Sequence, residues 1–296
     1  MEDAIRVPVK KKINILYRVR KKINVGIKYL VLIVLSFFFL FPIVFMFVSS
    51  IKNNESQIIR DMSNIFAFIP HSELGLKNYF DVFDQMPFLR FMFNSTLIVI
   101  STVLGGLIFN SMIAYALARL RFKGRNIIIY LIIALIIIPT ESVVIPLLLM
   151  VNRFGWLDSY HVQIIPFIVD AFSIFLFYQF FIGLPKSFDE AAMIDGANPF
   201  QIYWKVIIPL SRPVFASVAI LQFLMRWGDF FWPLMVTHGY EYRPLPVAIQ
   251  QFFSQDPKMW GDIFAFASMV TIPSLVIFLL FQKWFVRSVA SSCIKG

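Results

Sequence analysis

From residue 29 to residue 51 the chain carries no Asp, Glu, Lys or Arg, and a run of that length crosses a hydrocarbon layer as a helix, which takes about 20 apolar residues. Five comparable stretches follow, within 91–118 and at about 127–150, 161–183, 212–236 and 263–282. Lipid offers the backbone no water to bond, so each stretch must satisfy its own N–H and C=O groups, as a helix does. The pattern predicts an all-α, polytopic membrane protein with six transmembrane helices. Composition agrees, with 59% hydrophobic and 15% charged residues and a mean hydropathy of +0.75. Pro42 is expected to kink the first span, and Pro139, Glu141 and Pro146 interrupt the third. The first run is too long for a signal peptide and has no small-residue cleavage site, so it reads as a retained anchor.

The loops set the orientation. Residues 1–28 hold nine basic side chains from Arg6 to Lys28, and Arg119, Arg121, Lys123 and Arg125 cluster after the second span. With both termini in the cytoplasm, 19 of the 27 Lys and Arg residues lie inside, seven lie outside and Arg226 falls within a span. The opposite orientation would reverse that bias. The net charge of +10 therefore reflects membrane orientation, and no nucleic-acid partner is expected. Residues 52–90 read as an external loop with little regular structure, 152–160 as an outer turn and 237–262 as a second external loop. The chain divides into a basic cytoplasmic segment (1–28), a first transmembrane helix with its external loop (29–90), a membrane core (91–283) and a cytoplasmic tail (284–296). The lone Cys293 excludes an internal disulfide, and His71, His161 and His238 show no ligand spacing. Neither a phosphate-binding loop, H-E-x-x-H nor G-x-S-x-G occurs, so no enzymatic activity, metal site or bound cofactor is expected in this chain.

One cytoplasmic segment, 187–209, is unusually polar and punctuated. Ser187 with Glu190 three residues later reads as a capping box opening a short helix over 188–195. Gly196 supplies the left-handed residue that ends it, and Asn198 with Pro199 opens a second helix. Glu190-Ala191-Ala192, Gly196, Val206, Ile208 and Pro209 resemble the EAA loop of binding-protein-dependent ABC importers: EAA, three residues, G, nine residues, I-x-L-P. Val206 and Ile208 stand where that pattern has Ile and Leu. The resemblance implies a coupling helix docking on a cytoplasmic ATPase, with Glu190, Ala191, Ala192, Asp195, Gly196 and Pro209 carrying the coupling.

The likeness extends over about 29–296 to the smaller permease subunit of maltose-type carbohydrate importers. It includes Asn94-Ser95, Ala114-Tyr115-Ala116-Leu117-Ala118-Arg119, Phe122-Lys123-Gly124-Arg125, Leu157-Asp158-Ser159-Tyr160 and the ending Ile294-Lys295-Gly296. Trp227-Gly228-Asp229-Phe230 departs from the group's Trp-Asn-Asp/Glu-Phe, and Ser291-Ser292-Cys293 from its small Ala and Gly residues. The resemblance implies a type I importer permease core at 91–283 in a bacterial or archaeal cytoplasmic membrane, surrounded by lipid. It implies a heterodimer with a second permease, two ATPase subunits that hold the ATP and Mg, and an extracytoplasmic solute-binding protein met by 237–262. Residues 289–296 would lie along the ATPase.

Polar groups at membrane depth need a reason, because each costs a few kcal/mol to insert. Glu141, Asp170, Gln222, Arg226 and Asp229 are such groups, and a helix through 222–229 would set Gln222, Arg226 and Asp229 on one face. That face, with Trp227 and Trp232 to stack on sugar rings, is one reading of a translocation path. The other has Arg226 paired with a carboxylate to hold helices together and both Trp residues in the interfacial belt. The expected solute is a carbohydrate or oligosaccharide. The alternatives are another polar solute such as a glycerol phosphodiester, or an ion-coupled secondary transporter working through Glu141 and Asp170.

Overall fold

A helix surrounded by lipid must satisfy its terminal backbone within the protein, and several helix ends in this chain carry a side-chain cap. The computed structural model describes the backbone of residues 9–71 and 73–293, and the side chains of 25–71, 73–139 and 141–282. The ending Ile294-Lys295-Gly296, the tail contacts expected of 289–296 and residues 1–8 of the basic segment lie outside what is described.

The chain opens with α1 (Val9–Ser50), α2 (Glu55–Asp61), a 3-10 turn (Ile65–Phe68) and α3 (Lys77–Gln85). The long α4 (Phe88–Arg119) leads to α5 (Arg125–Ile137) and α6 (Thr140–Arg153), then α7 (Tyr160–Ile164) and α8 (Ala171–Gly183). Next come α9 (Ser187–Ile194), α10 (Pro199–Ile202), a π-helical turn (Tyr203–Ile207), α11 (Ile208–Leu210) and α12 (Arg212–Trp227). The remainder is α13 (Phe231–Val236), α14 (Leu245–Ala248), α15 (Gln250–Phe253) and α16 (Trp260–Cys293). Among the described residues there is no strand, only an isolated bridge between Lys52 and Leu74.

Four helical stretches are long and apolar enough to cross a membrane: Val25–Ser50, Phe88–Arg119, Tyr160–Gly183 and Trp260–Gln282. Two more arise if bent pairs are counted as single spans, the second taking in Pro199–Leu210 of the expected cytoplasmic hairpin, whereas the expected span ran to 236. Arg125–Ile137 meets Glu141–Arg153 at 105°, and Pro199–Leu210 meets Arg212–Trp227 at 80°. The first bend sits at Pro139, which cannot donate to the ladder and forces Ile138 out of the helical region. The expected fifth span, 212–236, is interrupted at Gly228, and α13 resumes at Phe231.

The chain forms two compact units. One comprises the described residues up to Asn78 with Trp260–Ala265. Here the expectation of little regular structure in 52–90 is overturned. Asn54 accepts a hydrogen bond from the Gln57 N–H to cap α2, and Asn64 accepts from the Phe66 N–H to cap the 3-10 turn. Buried Lys52 donates through Nζ to Asp61 Oδ2 (2.8 Å) and to the Phe66 carbonyl (2.7 Å). The Glu55 carboxylate accepts from the N–H groups of Trp260 (2.7 Å) and Gly261 (3.1 Å), at the free amide end of α16.

The other unit comprises Tyr79–Met259 and the described residues from Phe266 onward. Its core is built on α4, α8 and α12, with Ala114, Leu117, Ile174, Phe177, Phe181, Val214 and Val218 buried together. Gly106 lets α4 approach α12 closely, and a Cβ there would collide with the Gln222 amide. Gln222 is buried and donates to Ser173 Oγ (3.1 Å) on α8, so it has little freedom to retreat. Gly106→Ala is therefore expected to lower stability by about 1–3 kcal/mol. Combined with Gln222→Ala, which vacates the space, the loss should be less than additive by more than about 0.5 kcal/mol. Thermal unfolding of the detergent-purified variants checks this; strict additivity would refute the contact.

Candidate functional site

The polar segment folds as an elbow of two short helices. Lys186 is the N-cap of α9, and the Glu190 N–H bonds its carbonyl (3.0 Å), so Ser187 lies inside the helix and the expected Ser187–Glu190 capping box does not form. Asp189 and Glu190 in the first turn still face the positive end of the helix dipole. At the other end Gly196 has φ = +82°, its N–H bonds the Met193 carbonyl (3.0 Å) and the Ala197 N–H bonds the Ala192 carbonyl (2.9 Å). That is a Schellman closure, as the Gly predicts. The capping box belongs to the second helix: Asn198 Oδ1 accepts from the Gln201 N–H and Gln201 Oε1 accepts from the Asn198 N–H, each at 2.9 Å. Beyond it the ladder widens, with the Ile208 N–H reaching the Tyr203 carbonyl just before Pro209, whose ring crowds the carbonyl four residues back.

The elbow has two faces. Glu190, Ala191, Asp195, Gly196 and Pro209 are exposed, Ala192 is half-buried, and Ile194 is 87% exposed beside exposed Phe188, Met193 and Phe200. Asp189 points the other way and is buried. Its Oδ2 lies 3.2 Å from Arg119 Nη1, and Arg119 Nη2 donates to the Leu184 carbonyl (2.9 Å). Desolvation on burial pushes the Asp189 carboxyl above the usual carboxylate range, while the Arg119 guanidinium pulls the other way. Asp189 Oδ1 and Arg119 Nε are buried without a hydrogen-bond partner. Tyr115 Oη donates to the Pro199 carbonyl (3.0 Å), and Ser111 Oγ and Tyr203 Oη share a hydrogen bond of 2.7 Å. Ser111, Tyr115 and Arg119 recur every fourth residue, so one face of α4 holds the whole elbow. Sequence reading singled out Glu190 and missed Asp189 and Arg119. Their signal was a second acid beside the motif and a basic residue ending an apolar run.

The intramembrane polar residues are scattered more than expected. Asp170 caps α8 by accepting from the Ser173 N–H (2.7 Å), and its own N–H donates to Asn110 Oδ1 (3.0 Å). Arg226 and Asp229 come together (3.3 Å), with the guanidinium 4.1 Å above the Phe167 ring. The shared helical face for Gln222, Arg226 and Asp229 is not formed, because α12 ends at Trp227 and leaves Asp229 beyond it. Glu141 is exposed at the start of α6, and among the described residues its side chain has no ion pair. Both Trp residues are buried, Trp227 donating to the Val270 carbonyl (3.0 Å) and Trp232 to the Val162 carbonyl (2.9 Å). The cavity beside Arg226, Asp229 and Gln163 measures about 10 Å³, room for one water but not for a sugar ring.

The segment 237–262 is strapped to the helices by polar side chains. Asn94 donates to the carbonyls of Glu241 and Arg243 (both 2.9 Å), Gln163 donates to that of Tyr242 (2.9 Å), and Ser95 Oγ accepts from the Leu245 N–H (2.8 Å). The loop is thus held mainly by its backbone, with the Tyr240 ring packed edge-on to Phe91 (5.7 Å between centroids) and Glu241 Oε1 3.9 Å from Arg90 Nη2.

Nothing lies within 4 Å of a Cβ built on Gly196, so a substitution there meets backbone strain and no clash. Gly196→Val is expected to destabilise the elbow by about 1–2 kcal/mol, and Gly196→Asn, whose side chain tolerates the left-handed region, by less. Hydrogen exchange of 187–202 in the two variants measures the difference; equal protection would contradict the Schellman assignment.

Comparison with known proteins identifies the family. Residues 106–291 match the family described as binding-protein-dependent transport system inner membrane component. The chain is 33% identical over 263 residues to the arabinooligosaccharides transport system permease protein AraQ of Bacillus subtilis (strain 168), covering 88% of this chain and 92% of AraQ. It is 30% identical over 211 residues to the sn-glycerol-3-phosphate transport system permease protein UgpE of Yersinia enterocolitica, covering 71% and 75%. The crystal structure of a bacterial ABC transporter that imports the acidic polysaccharide alginate superposes with a TM-score of 0.77 at 26% identity, covering 94% of this chain and 100% of that one. The family match spans more than half the sequence: this chain belongs to the binding-protein-dependent transport system inner membrane components, as a permease subunit of an ABC importer.

Proposed function

We propose that this permease imports a carbohydrate or oligosaccharide, and that α9 is the coupling helix through which a separate ATPase drives it. The observation that carries the coupling role is the two-faced elbow, with an apolar outer surface around Ile194 and an inner surface anchored on α4. Burying a side chain as exposed as Ile194 against a partner contributes about 1.5–3 kcal/mol, and Glu190 beside it offers an unburied charge for recognition. Two ATPase subunits, holding ATP and Mg, would close on nucleotide and carry the elbow with them. A second, different permease would complete the path, and the strapped loop 237–262 would receive the solute-binding protein. Both termini and the elbow would face the cytoplasm of a bacterial or archaeal cell, as the basic loops favour.

The sugar reading draws on AraQ and on the alginate importer, while UgpE keeps a phosphate ester as the second reading. Electrostatics favour a neutral sugar. An anionic solute, a phosphate ester or an acidic polysaccharide alike, needs an uncompensated cation, and Arg226 is already paired with Asp229. A stand-alone carrier coupled through Glu141 and Asp170 is disfavoured because Asp170 is engaged as a helix cap.

The test is uptake into proteoliposomes holding the assembled transporter, its binding protein presented with a panel of oligosaccharides or with sn-glycerol 3-phosphate. Stimulated ATP hydrolysis and uptake with an oligosaccharide are expected; a response to the phosphate ester alone would replace the sugar reading. In the same complex Ile194→Asp is expected to weaken ATPase retention about tenfold or more, a loss of at least about 1.4 kcal/mol.

A further inference from the structure

The coupling elbow is gripped from within the chain by three side chains on one face of α4. Ser111 meets Tyr203, Tyr115 meets the Pro199 carbonyl, and Arg119 meets both Asp189 and the Leu184 carbonyl. The Tyr115 and Tyr203 rings pack against each other at 5.3 Å between centroids. The grips fall on α9, on the first residue of α10 and on the π-helical turn, so the elbow cannot turn on its own without breaking one of them. We infer that Arg119 and Asp189, backed by Tyr115 and Tyr203, are positioning residues that lock the elbow to α4, so that displacement of the elbow is delivered to this membrane-crossing helix. The inference rests on the coupling role proposed above and adds the route by which force leaves the elbow.

Three observations favour transmission over packing alone. The ion pair is buried on both sides, with side-chain exposures of 5% and 10%, and such a pair resists separation far more than a surface pair. Separation would strand two charges where Asp189 Oδ1 and Arg119 Nε already lack partners. The neighbouring acids also divide the work, because Glu190 faces outward while Asp189 faces α4. A docking surface alone would need no buried acid on its rear face. A rigid link needs one there, and α4, to which it connects, extends from Arg119 to Phe88 through the core of its unit.

The experiment uses the whole complex in proteoliposomes and reads solute imported per ATP hydrolysed, alongside the amount of ATPase subunit retained. Asp189→Asn and Arg119→Gln should each lower the ratio by about fivefold or more, the lower end of ordinary coupling between sites. The charge-exchanged pair Arg119→Asp with Asp189→Arg should recover most of it. A wild-type ratio in both single variants, or an exchange no better than they are, would overturn the inference. If the charge variants fail to assemble, Tyr115→Phe combined with Tyr203→Phe carries the test, since it removes only two hydroxyls. An unchanged ratio there overturns the inference, and a ratio lowered by about twofold or more supports it. Ile194→Asp separates this claim from the one beneath it. Undiminished ATPase retention in that variant rejects the coupling role itself, whereas lost retention beside wild-type ratios in the α4-face variants rejects only the link.

Discussion

A backbone amide or carbonyl shut away from water must find its partner inside the protein, and in a chain this apolar that requirement governs where helices stop. Several breaks in the ladder are closed by a polar side chain. Asp170 closes the start of α8, Asn198 and Gln201 close α10, Glu55 receives the free amides of α16, and Asn94 and Gln163 take up the carbonyls of the external loop. The polar residues in and beside the spans are therefore mostly structural joints. They hold irregular backbone in fixed shapes at the two ends of the bundle, where such a protein has to meet other proteins.

This division clarifies which polar groups are free to act. Asp170, Gln222, Trp227 and Trp232 each make a hydrogen bond within the chain, though Gln222 Oε1 is buried without a partner. Arg226 and Asp229 neutralise each other beside a cavity too small for solute. That cavity, among the described residues, is not a path for a sugar. The exposed acid and apolar residues of α9 are, by contrast, uncommitted among the described residues.

Much of this was legible in the sequence, because the governing signals are local. Long charge-free runs gave the helices, Gly196 gave the left-handed turn, and the spacing from Glu190 to Pro209 gave the elbow and its family. What was not legible depends on contacts between residues far apart in the chain. Arg119 read as one more basic residue of a loop, and nothing local says that it meets Asp189. In the region 52–90 order comes largely from the Asn caps and the buried Lys52–Asp61 pair, which sequence does not announce, while the buried i, i+4 spacing of Asn78, Val82 and Met86 is a helical signal that sequence reading missed. The supposed stripe through Asp229 failed because Gly228 ends the helix, a boundary that a hydropathy window does not resolve.

The account turns on α9 and α4 moving as one body when a partner ATPase works. Spin labels on Ala191 and Phe109, both exposed, placed in a chain with Cys293 replaced, report that distance directly. Measured in the proposed assembly without nucleotide and with ATP bound, the distance should stay the same while that from Ala191 to the proposed second permease changes. A change in the distance between Ala191 and Phe109 on ATP binding would contradict the account, because the elbow would then be pivoting on α4 and not carrying it.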